Sequence, residues 1–326
     1  MNTVKKIPVQ EAVGQILAHD MTQIIPGERK GSRFKKGHIV QLEDIPVLLS
    51  MGKEHIYTLE LDEFTYHENE AAEHLAGICQ GDHLERSEIS EGRINLKAAV
   101  DGLLRVNVPL LERINLYGEV MIATKRDGTP VTKGTVVAGT RAIPLWIAKE
   151  KIHQCEKLAG GEKVLSIRPF VPQKAGILTT GSEVCKGLVK DGFREVLPAK
   201  LQPYGFTIVD HRYTMDDKES IVRQLREMIA EDLDLILCTG GMSVDPDDNT
   251  PGAIQEVSTQ VVTYGTPVLP GAMFMAAYHH RTVILGLPGS VMFHPRTVFD
   301  LILPLAAAQE PITREYIAGL GHGGLL

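Results

Sequence analysis

Residues 233–241 read Leu-Asp-Leu-Ile-Leu-Cys-Thr-Gly-Gly and set the architecture of the C-terminal half. A short apolar run of this kind is typical of a strand that is buried on both faces of a parallel sheet. The double glycine after it lets the chain leave the strand in a tight turn. The stretch therefore predicts an inner strand whose carboxyl end opens into a glycine turn.

Similar apolar runs recur on both sides of this stretch. They predict strands at Ala175–Leu178, Phe206–Val209 and Val283–Leu287. A helix is predicted to begin at Asp216, with Glu219 at the spacing of a capping box. Because right-handed crossovers place successive helices over the faces of a sheet, the alternation predicts an α/β domain with a doubly wound, mostly parallel sheet.

The N-terminal half has a different pattern. Short β-rich runs predict strands at Ile56–Leu61, Val120–Thr124 and Thr135–Val137. Helix candidates are few, and the better ones are Glu43–Leu49 and His67–Ile78. The sequence Pro-Phe-Val-Pro at 169–172 suits a linker. We therefore predict a β-rich α+β domain over residues 1–172 and the α/β domain over residues 173–326.

Composition limits the classes of function. The chain has 326 residues, enough for two folding units, and its formal charge of -7 makes nucleic acid a poor partner. No segment approaches the roughly 18 apolar residues of a membrane span, and no apolar stretch follows the N-terminal lysines. The four cysteines are scattered without a Cys-x-x-Cys pair, which is typical of free thiols in a reducing compartment. These features predict a cytoplasmic protein.

Three of the predicted strands end in a glycine-containing turn. The residues of these turns are Thr180, Gly181, Ser182 and Glu183, then Thr239, Gly240, Gly241, Met242 and Ser243, then Pro288, Gly289 and Ser290. Ligands of open α/β sheets bind at the carboxyl ends of the strands, so the three turns can converge on one site. Glycine admits close approach of the backbone, and N–H groups at the start of a helix attract phosphate.

Each turn taken alone is more often just a tight connection, but three together favour a ligand site. No Gly-Lys-Ser/Thr follows any of the turns, and no Gly-x-Gly-x-x-Gly follows a strand. The fingerprints of nucleoside triphosphate loops and of dinucleotide loops are therefore absent. An acidic protein can still hold an anion locally through such turns.

An unusually acidic stretch follows the second turn. Asp245, Asp247 and Asp248 fall within four positions, just before Thr250 and Pro251. One interpretation is a solvated loop in which Thr250 caps the next helix and Pro251 occupies its first turn. The other is a functional site, because crowded carboxylates beside a phosphate-type turn would suit Mg²⁺ or an oxyanion-bearing ligand. The site is favoured for Asp248, whereas Asp245 and Asp247 fit both interpretations.

Taken in order, the three turns with Asp248 and the Gly-Leu-Pro-Gly at 286–289 resemble the molybdopterin-binding domain. Molybdopterin adenylyltransferases, molybdopterin molybdenumtransferases, gephyrin and the competence-damage-inducible proteins share this domain. The resemblance covers about residues 174–310. It implies that the turns contact the pterin and its phosphate, and that Asp248 occupies a functionally important acidic position. More loosely, residues 12–21 and 36–52 resemble the front part of molybdenumtransferases.

The resemblance does not select one activity. Gly-Gly-Met-Ser at 240–243 is similar to the molybdenumtransferase turn, whereas Asp-Asn-Thr-Pro at 248–251 is similar to the adenylyltransferase version. Ser182 stands where molybdenumtransferases usually have aspartate. The leading hypothesis is a molybdopterin-binding protein of cofactor biosynthesis or delivery, acting in molybdenum insertion or adenylyl transfer. As an enzyme it would hold Mg²⁺ through Asp248 and Asp245 and use molybdate or an adenine nucleotide.

Two alternatives belong to other classes of function. A non-catalytic carrier would bind the molybdenum cofactor and deliver it to a client molybdoenzyme, and the serine at position 182 is consistent with it. A nucleotide pyrophosphatase, similar to the competence-damage proteins, would hydrolyse a dinucleotide. Relatives of the domain are usually homo-oligomers, so the resemblance implies symmetric assembly.

Overall fold

The computed structural model describes residues 4–25, 29–59, 64–243, 245 and 248–326. In the N-terminal half the strands are β1 Val4–Pro8, β2 Ile16–Leu17, β3 Met21–Ile25, β4 Arg29–Phe34, β5 His55–Leu59, β6 Thr65–His67, β7 Leu84–Arg86, β8 Arg93–Ala98, β9 Gly102–Val106, β10 Val120–Thr124, β11 Pro130–Val131, β12 Val136–Ala142, β13 Trp146–Ala148 and β14 Leu165–Pro169. The helices there are α1 Asp44–Ser50, α2 Glu68–Cys79, α3 Val108–Tyr117 and α4 Lys149–Ala159.

The described strands of this half form small antiparallel sheets. Their orders are β1-β5-β2, β10-β12-β8-β7 and β11-β9-β14, with the two-stranded pairs β3-β4 and β13-β6. Helix α2 packs on β8 and β12, and its apolar side contributes Leu75 and Ile78 to a core shared with α3 and α4. A separate apolar cluster joins Leu48 of α1 to Leu17 and Ile56 of the first sheet.

The C-terminal half contains the remaining elements. Its strands are β15 Gln173–Thr180, β16 Phe206–Thr214, β17 Leu235–Thr239, β18 Gln260–Tyr264, β19 Met275–His279 and β20 Thr282–Leu287. Its helices are α5 Ser182–Cys185, α6 Phe193–Leu201, α7 Lys218–Ala230, α8 Thr250–Val257, α9 Ser290–Phe293, α10 Val298–Ala307 and α11 Arg314–Gly319. Strands are present at all four predicted positions, although β16 lies at an edge of the sheet and is not buried on both faces.

One mixed sheet of six strands organises this half, in the order β16-β15-β17-β20-β19-β18. The first four strands are parallel, and β19 and β18 add antiparallel pairs at one edge. Side chains of β17 alternate between two apolar clusters: Leu235 and Leu237 join α6 and α10, whereas Ile236 and Cys238 join α7 and α8. Alternation of this kind follows from the two-residue period of a strand.

The predicted boundary between residues 172 and 173 falls in the short segment between β14 and β15, and it stays a prediction. Side chains on the two sides of this boundary contact each other. Leu103 of β9 is buried in the cluster that contains Phe299, and Glu310 forms ion pairs with Arg105 at 2.9 Å and with Arg168 at 3.1 Å. None of the described helices has the length and apolar character that spanning a membrane requires.

Candidate functional site

The carboxyl ends of the parallel strands lie side by side. Thr180 at the end of β15 is opposite Thr214 of β16, and Thr239 at the end of β17 is opposite both Thr179 and Leu287. The turns after β15, β17 and β20 therefore leave the sheet at one edge. This is the edge at which open α/β sheets bind their ligands.

In the first turn, Gly181 has φ +138, outside the range that side chains favour, and α5 begins at the next residue. The N–H of Gly181 donates to the carbonyl of Thr214 at 3.2 Å. Thr180 is buried, and its hydroxyl lies 3.1 Å from that of Thr250. Glu183 is exposed, and Ser182 is half-buried. The first turn is thus anchored on both sides, with its helix start facing outward.

The second turn packs directly on the first. Gly240 has φ +85, and a Cβ placed on it would lie 2.2 Å from the carbonyl oxygen of Thr180. No side chain fits there. Met242 is buried and lies against Gly286, so its side chain belongs to the core and only its backbone can meet a ligand. Ser243 is exposed at the end of the turn.

The third turn contributes an unpaired hydroxyl. Pro288 is buried, Gly289 is exposed and Ser290 begins α9. The hydroxyl oxygen of Ser290 is buried and has no hydrogen-bond partner among the described residues. A buried polar group without a partner is unfavourable by about 1–3 kcal/mol, so this oxygen marks a place where a ligand or water would bind.

Asp248 is held close to the second turn. Its Oδ2 accepts the N–H of Ser243 at 2.6 Å, and its own N–H donates to the carbonyl of Asp245 at 3.0 Å. Asp245 is exposed. Asp247 lies outside the described residues. The described residues include no group of three or more His, Cys, Asp or Glu side chains that could hold a metal ion.

Asp216 also belongs to this edge, although sequence reasoning assigned it elsewhere. The predicted capping box of Asp216 and Glu219 is wrong by one residue. Helix α7 is capped by Asp217, whose Oδ1 accepts the N–H of Ser220 at 2.8 Å. The neighbouring carboxylate is therefore not needed at the cap.

The Asp216 carboxylate faces the second turn instead. A Cβ placed on Gly241 would lie 3.1 Å from Asp216 Oδ1, which is buried and lacks a hydrogen-bond partner among the described residues. Burial raises the pKa of Asp216 above its usual value, and the charges of Asp248 and Glu183 raise it further. The three carboxylates therefore share one region of the crevice.

A buried hydrogen-bond network lies beneath the first two turns. The Thr179 hydroxyl donates to Asp191 Oδ2 at 3.1 Å and accepts from the Thr239 hydroxyl at 3.1 Å. His211 Nε2 lies 3.0 Å from the hydroxyl oxygen of Thr179. Because a hydroxyl has one proton and two acceptor positions, His211 must donate its Nε2 proton to Thr179. The network joins β15, β16 and β17 just below the turns.

This network predicts a loss of stability in mild acid. Burial is the largest influence on His211 and lowers its pKa, although Asp191 acts in the opposite direction. Just below about pH 6.5 the unfolded chain therefore binds more protons than the folded chain, and acid favours unfolding. In urea unfolding at about pH 7.5 and about pH 5.5, His211→Gln should show a smaller pH effect than the wild type. The exposed His55→Gln should keep the full effect. An undiminished effect in His211→Gln would contradict this assignment.

Both halves of the chain contain stretches that match known protein families. Residues 176–308 match the family model described as "Probable molybdopterin binding domain", and residues 6–60 match a model of a domain of unknown function. The molybdopterin molybdenumtransferase of Synechococcus elongatus is 24% identical over 143 residues, which are 41% of this chain and 36% of that protein. The enzyme of the same name from Staphylococcus epidermidis is 21% identical over 298 residues, 87% of this chain and 66% of that protein.

The CinA-like protein of Thermotoga maritima matches a shorter stretch. It is 32% identical over 85 residues, which are 26% of this chain and 21% of that protein. Among solved structures, the molybdopterin biosynthesis enzyme MoaB of Thermus thermophilus is 28% identical and covers 41% of this chain and 91% of its own, with a TM-score of 0.38. This chain spans less than two thirds of each curated relative named here. The C-terminal half of the chain carries a domain of the molybdopterin-binding family, with homologues in molybdenum cofactor biosynthesis.

Proposed function

We propose that the chain binds a phosphorylated pterin of the molybdopterin type at the carboxyl edge of its six-stranded sheet, and acts in making or delivering the molybdenum cofactor. One observation carries the proposal. Two of the buried polar atoms that lack partners among the described residues, Ser290 Oγ and Asp216 Oδ1, lie at the glycine turns of the carboxyl edge, within residues 176–308 that match the molybdopterin-binding domain. We also infer that the sheet is doubly wound, which the two apolar clusters support.

The crevice carries groups that suit both ends of such a ligand. The turns offer backbone N–H groups and the Ser290 hydroxyl, which suit a phosphate. Glu183 of the first turn and Asp216 beside the second turn are carboxylates, which suit the amino and N–H groups along the edge of a pterin ring. An acidic chain can therefore bind an anion, because donors and carboxylates contact different parts of it.

A role for Mg²⁺ is part of this proposal. Mg²⁺ keeps several waters and is usually bound by one or two carboxylates together with substrate phosphates. The described residues offer no complete metal group of their own, so the ion would enter with the ligand and contact Asp248 and Asp245. Bound there, it would neutralise negative charge on a phosphate or on molybdate. Cytoplasmic location, homo-oligomeric assembly and a molybdoenzyme client stay predictions.

Calorimetry with three ligands tests the function. Molybdopterin, its adenylylated form and the finished cofactor are added in turn, with and without Mg²⁺ and molybdate. Selective binding of one ligand would identify the step. Binding of the finished cofactor without turnover of ATP or molybdate would favour the carrier. Binding of none, together with hydrolysis of ADP-ribose, would replace the proposal with the pyrophosphatase.

Replacing Asp216 tests its proposed contact with the pterin ring. Asp216→Asn should weaken pterin binding by about 10–100-fold, because a hydrogen bond to a charged group contributes about 1.5–3 kcal/mol. Glu219→Gln, an exposed carboxylate on the adjoining helix, is the matched control and should bind normally. The comparison is made by calorimetry with molybdopterin. Unchanged affinity in Asp216→Asn would remove this residue from the site.

A further inference from the structure

The edge strand β18 brings an aromatic residue to the same crevice. Strand β18 is antiparallel to β19, which is antiparallel to β20, so β18 runs in the direction of β20 and its carboxyl end reaches the edge of the turns. Tyr264 occupies that end and is 45% exposed. The sequence patterns of the three turns and of the acidic stretch do not predict a role for Tyr264.

Tyr264 is bonded to the second turn. Its hydroxyl donates to the carbonyl oxygen of Ser243 at 2.8 Å. The N–H of the same serine donates to Asp248 Oδ2 at 2.6 Å. Ser243 therefore links the tyrosine on one side to the carboxylate on the other. Burial raises the pKa of Tyr264, and the charge of Asp248 raises it further, which agrees with their closeness.

Because Ser243 is exposed, its backbone orientation depends on hydrogen bonds such as the one from Tyr264. Ser243 and Asp248 sit in irregular backbone, where no strand or helix fixes the orientation of a peptide group. A hydrogen bond from a residue on a paired strand supplies that orientation. Rotation of the Ser243 carbonyl away from Tyr264 would change the direction of the bonds made by the flanking peptide groups and alter the contact with Asp248.

We propose that Tyr264 is a positioning residue, which acts through Ser243 to hold Asp248 at the ligand crevice. The proposal rests on the proposed function only for its effect on ligand binding, because the link itself exists in the free protein. Loss of the hydroxyl would leave the tyrosine ring in place and release the Ser243 peptide. Asp248 would then meet an incoming ligand in several orientations instead of one.

Hydrogen exchange of the Ser243 amide, followed by NMR without ligand, tests the link. Tyr264→Phe should lower the protection of this amide about fivefold, the effect expected for one neutral hydrogen bond. Asp248→Ala removes the acceptor and should lower it at least as much, and the double variant should equal Asp248→Ala because the two effects act on one bond. Tyr57→Phe is the matched control, since Tyr57 is 44% exposed and lies in the other half of the chain. Wild-type protection in Tyr264→Phe, or additive losses, would overturn the proposal.

Calorimetry with molybdopterin and Mg²⁺ then separates this inference from the proposed function. Tyr264→Phe should weaken binding about fivefold in the wild-type background and have no effect in Asp248→Ala. If the wild type binds no pterin but the exchange pattern holds, the proposed function fails and the link stands. If the wild type binds and Tyr264→Phe matches it in both measurements, the positioning role is wrong.

Discussion

Replacing Asp248 with asparagine should lower turnover by about 100-fold or more and leave pterin binding in the absence of Mg²⁺ largely intact. Asparagine has nearly the same shape and can still accept the Ser243 N–H, which Asp248 accepts at 2.6 Å. It cannot provide the negative charge that a divalent ion or a reacting group would need. Removing one group that stabilises developing charge typically costs about 100–1000-fold in rate.

This prediction is measured as ATP-dependent and molybdate-dependent turnover, with calorimetry of molybdopterin binding in the absence of Mg²⁺ on the same preparations. Glu315→Gln, an exposed carboxylate in α11, is the control and should match the wild type in both. Equal losses of turnover and binding in Asp248→Asn would show that Asp248 contributes to binding and has no separate role in catalysis. Absence of turnover in the wild-type protein would favour the hypothesis of a non-catalytic carrier.

Gly240→Ala should abolish ligand binding and destabilise the fold. The added methyl would lie 2.2 Å from the Thr180 carbonyl, and φ +85 is unfavourable for any side chain. Backbone strain of this kind costs roughly 1–3 kcal/mol, and overpacking typically adds about 1–3 kcal/mol. The first and second turns must move apart to admit the methyl, and the crevice would lose its shape.

Gly134→Ala isolates the steric part of this effect. Gly134 has φ +86 and nothing within 4 Å of a built Cβ, so it should show the strain alone. Urea unfolding compares the two variants, and calorimetry with molybdopterin follows binding. Equal destabilisation of the two variants, or normal binding by Gly240→Ala, would contradict the contact between the turns.

The inner strands of the C-terminal sheet were predictable because their sequences are apolar on both faces. Predicted runs such as Ala175–Leu178 and Val283–Leu287 lie within β15 and β20. Strands β18 and β19 are absent from the prediction. They pair antiparallel at one edge, where tertiary contact decides the structure more than local pattern does.

Two helices of the N-terminal half were missed although their signals are present. Helix α3 follows Asn107, whose side chain accepts the N–H of Leu110, and it has a proline in its first turn. This is a recognised start signal. Helix α4 is strongly polar, and its buried positions are confined to Ile152, Cys155 and Ala159. Their three- and four-residue spacing was the available evidence.

Some residues of the candidate site could likewise be predicted from the sequence, and others could not. Glycine turns after buried strands can be recognised locally, because the constraint lies in the backbone. Asp216 could not be recognised. Adjacent aspartates at 216 and 217 can each cap a helix, and only the observed start of α7 determines which one is left to face the crevice. A shift of one residue in a cap thus changes the chemistry of the site.

The packing of Gly240 on Thr180 also bears on the entropy of binding. Two loops that are held by close backbone contact and by the paired hydroxyls of Thr180 and Thr250 cannot fluctuate independently. A ligand that docks on them orders few additional degrees of freedom, so less of its interaction energy is lost to conformational entropy. Recognition at this edge would then approach lock-and-key behaviour, with the shape of the crevice already present before the pterin arrives.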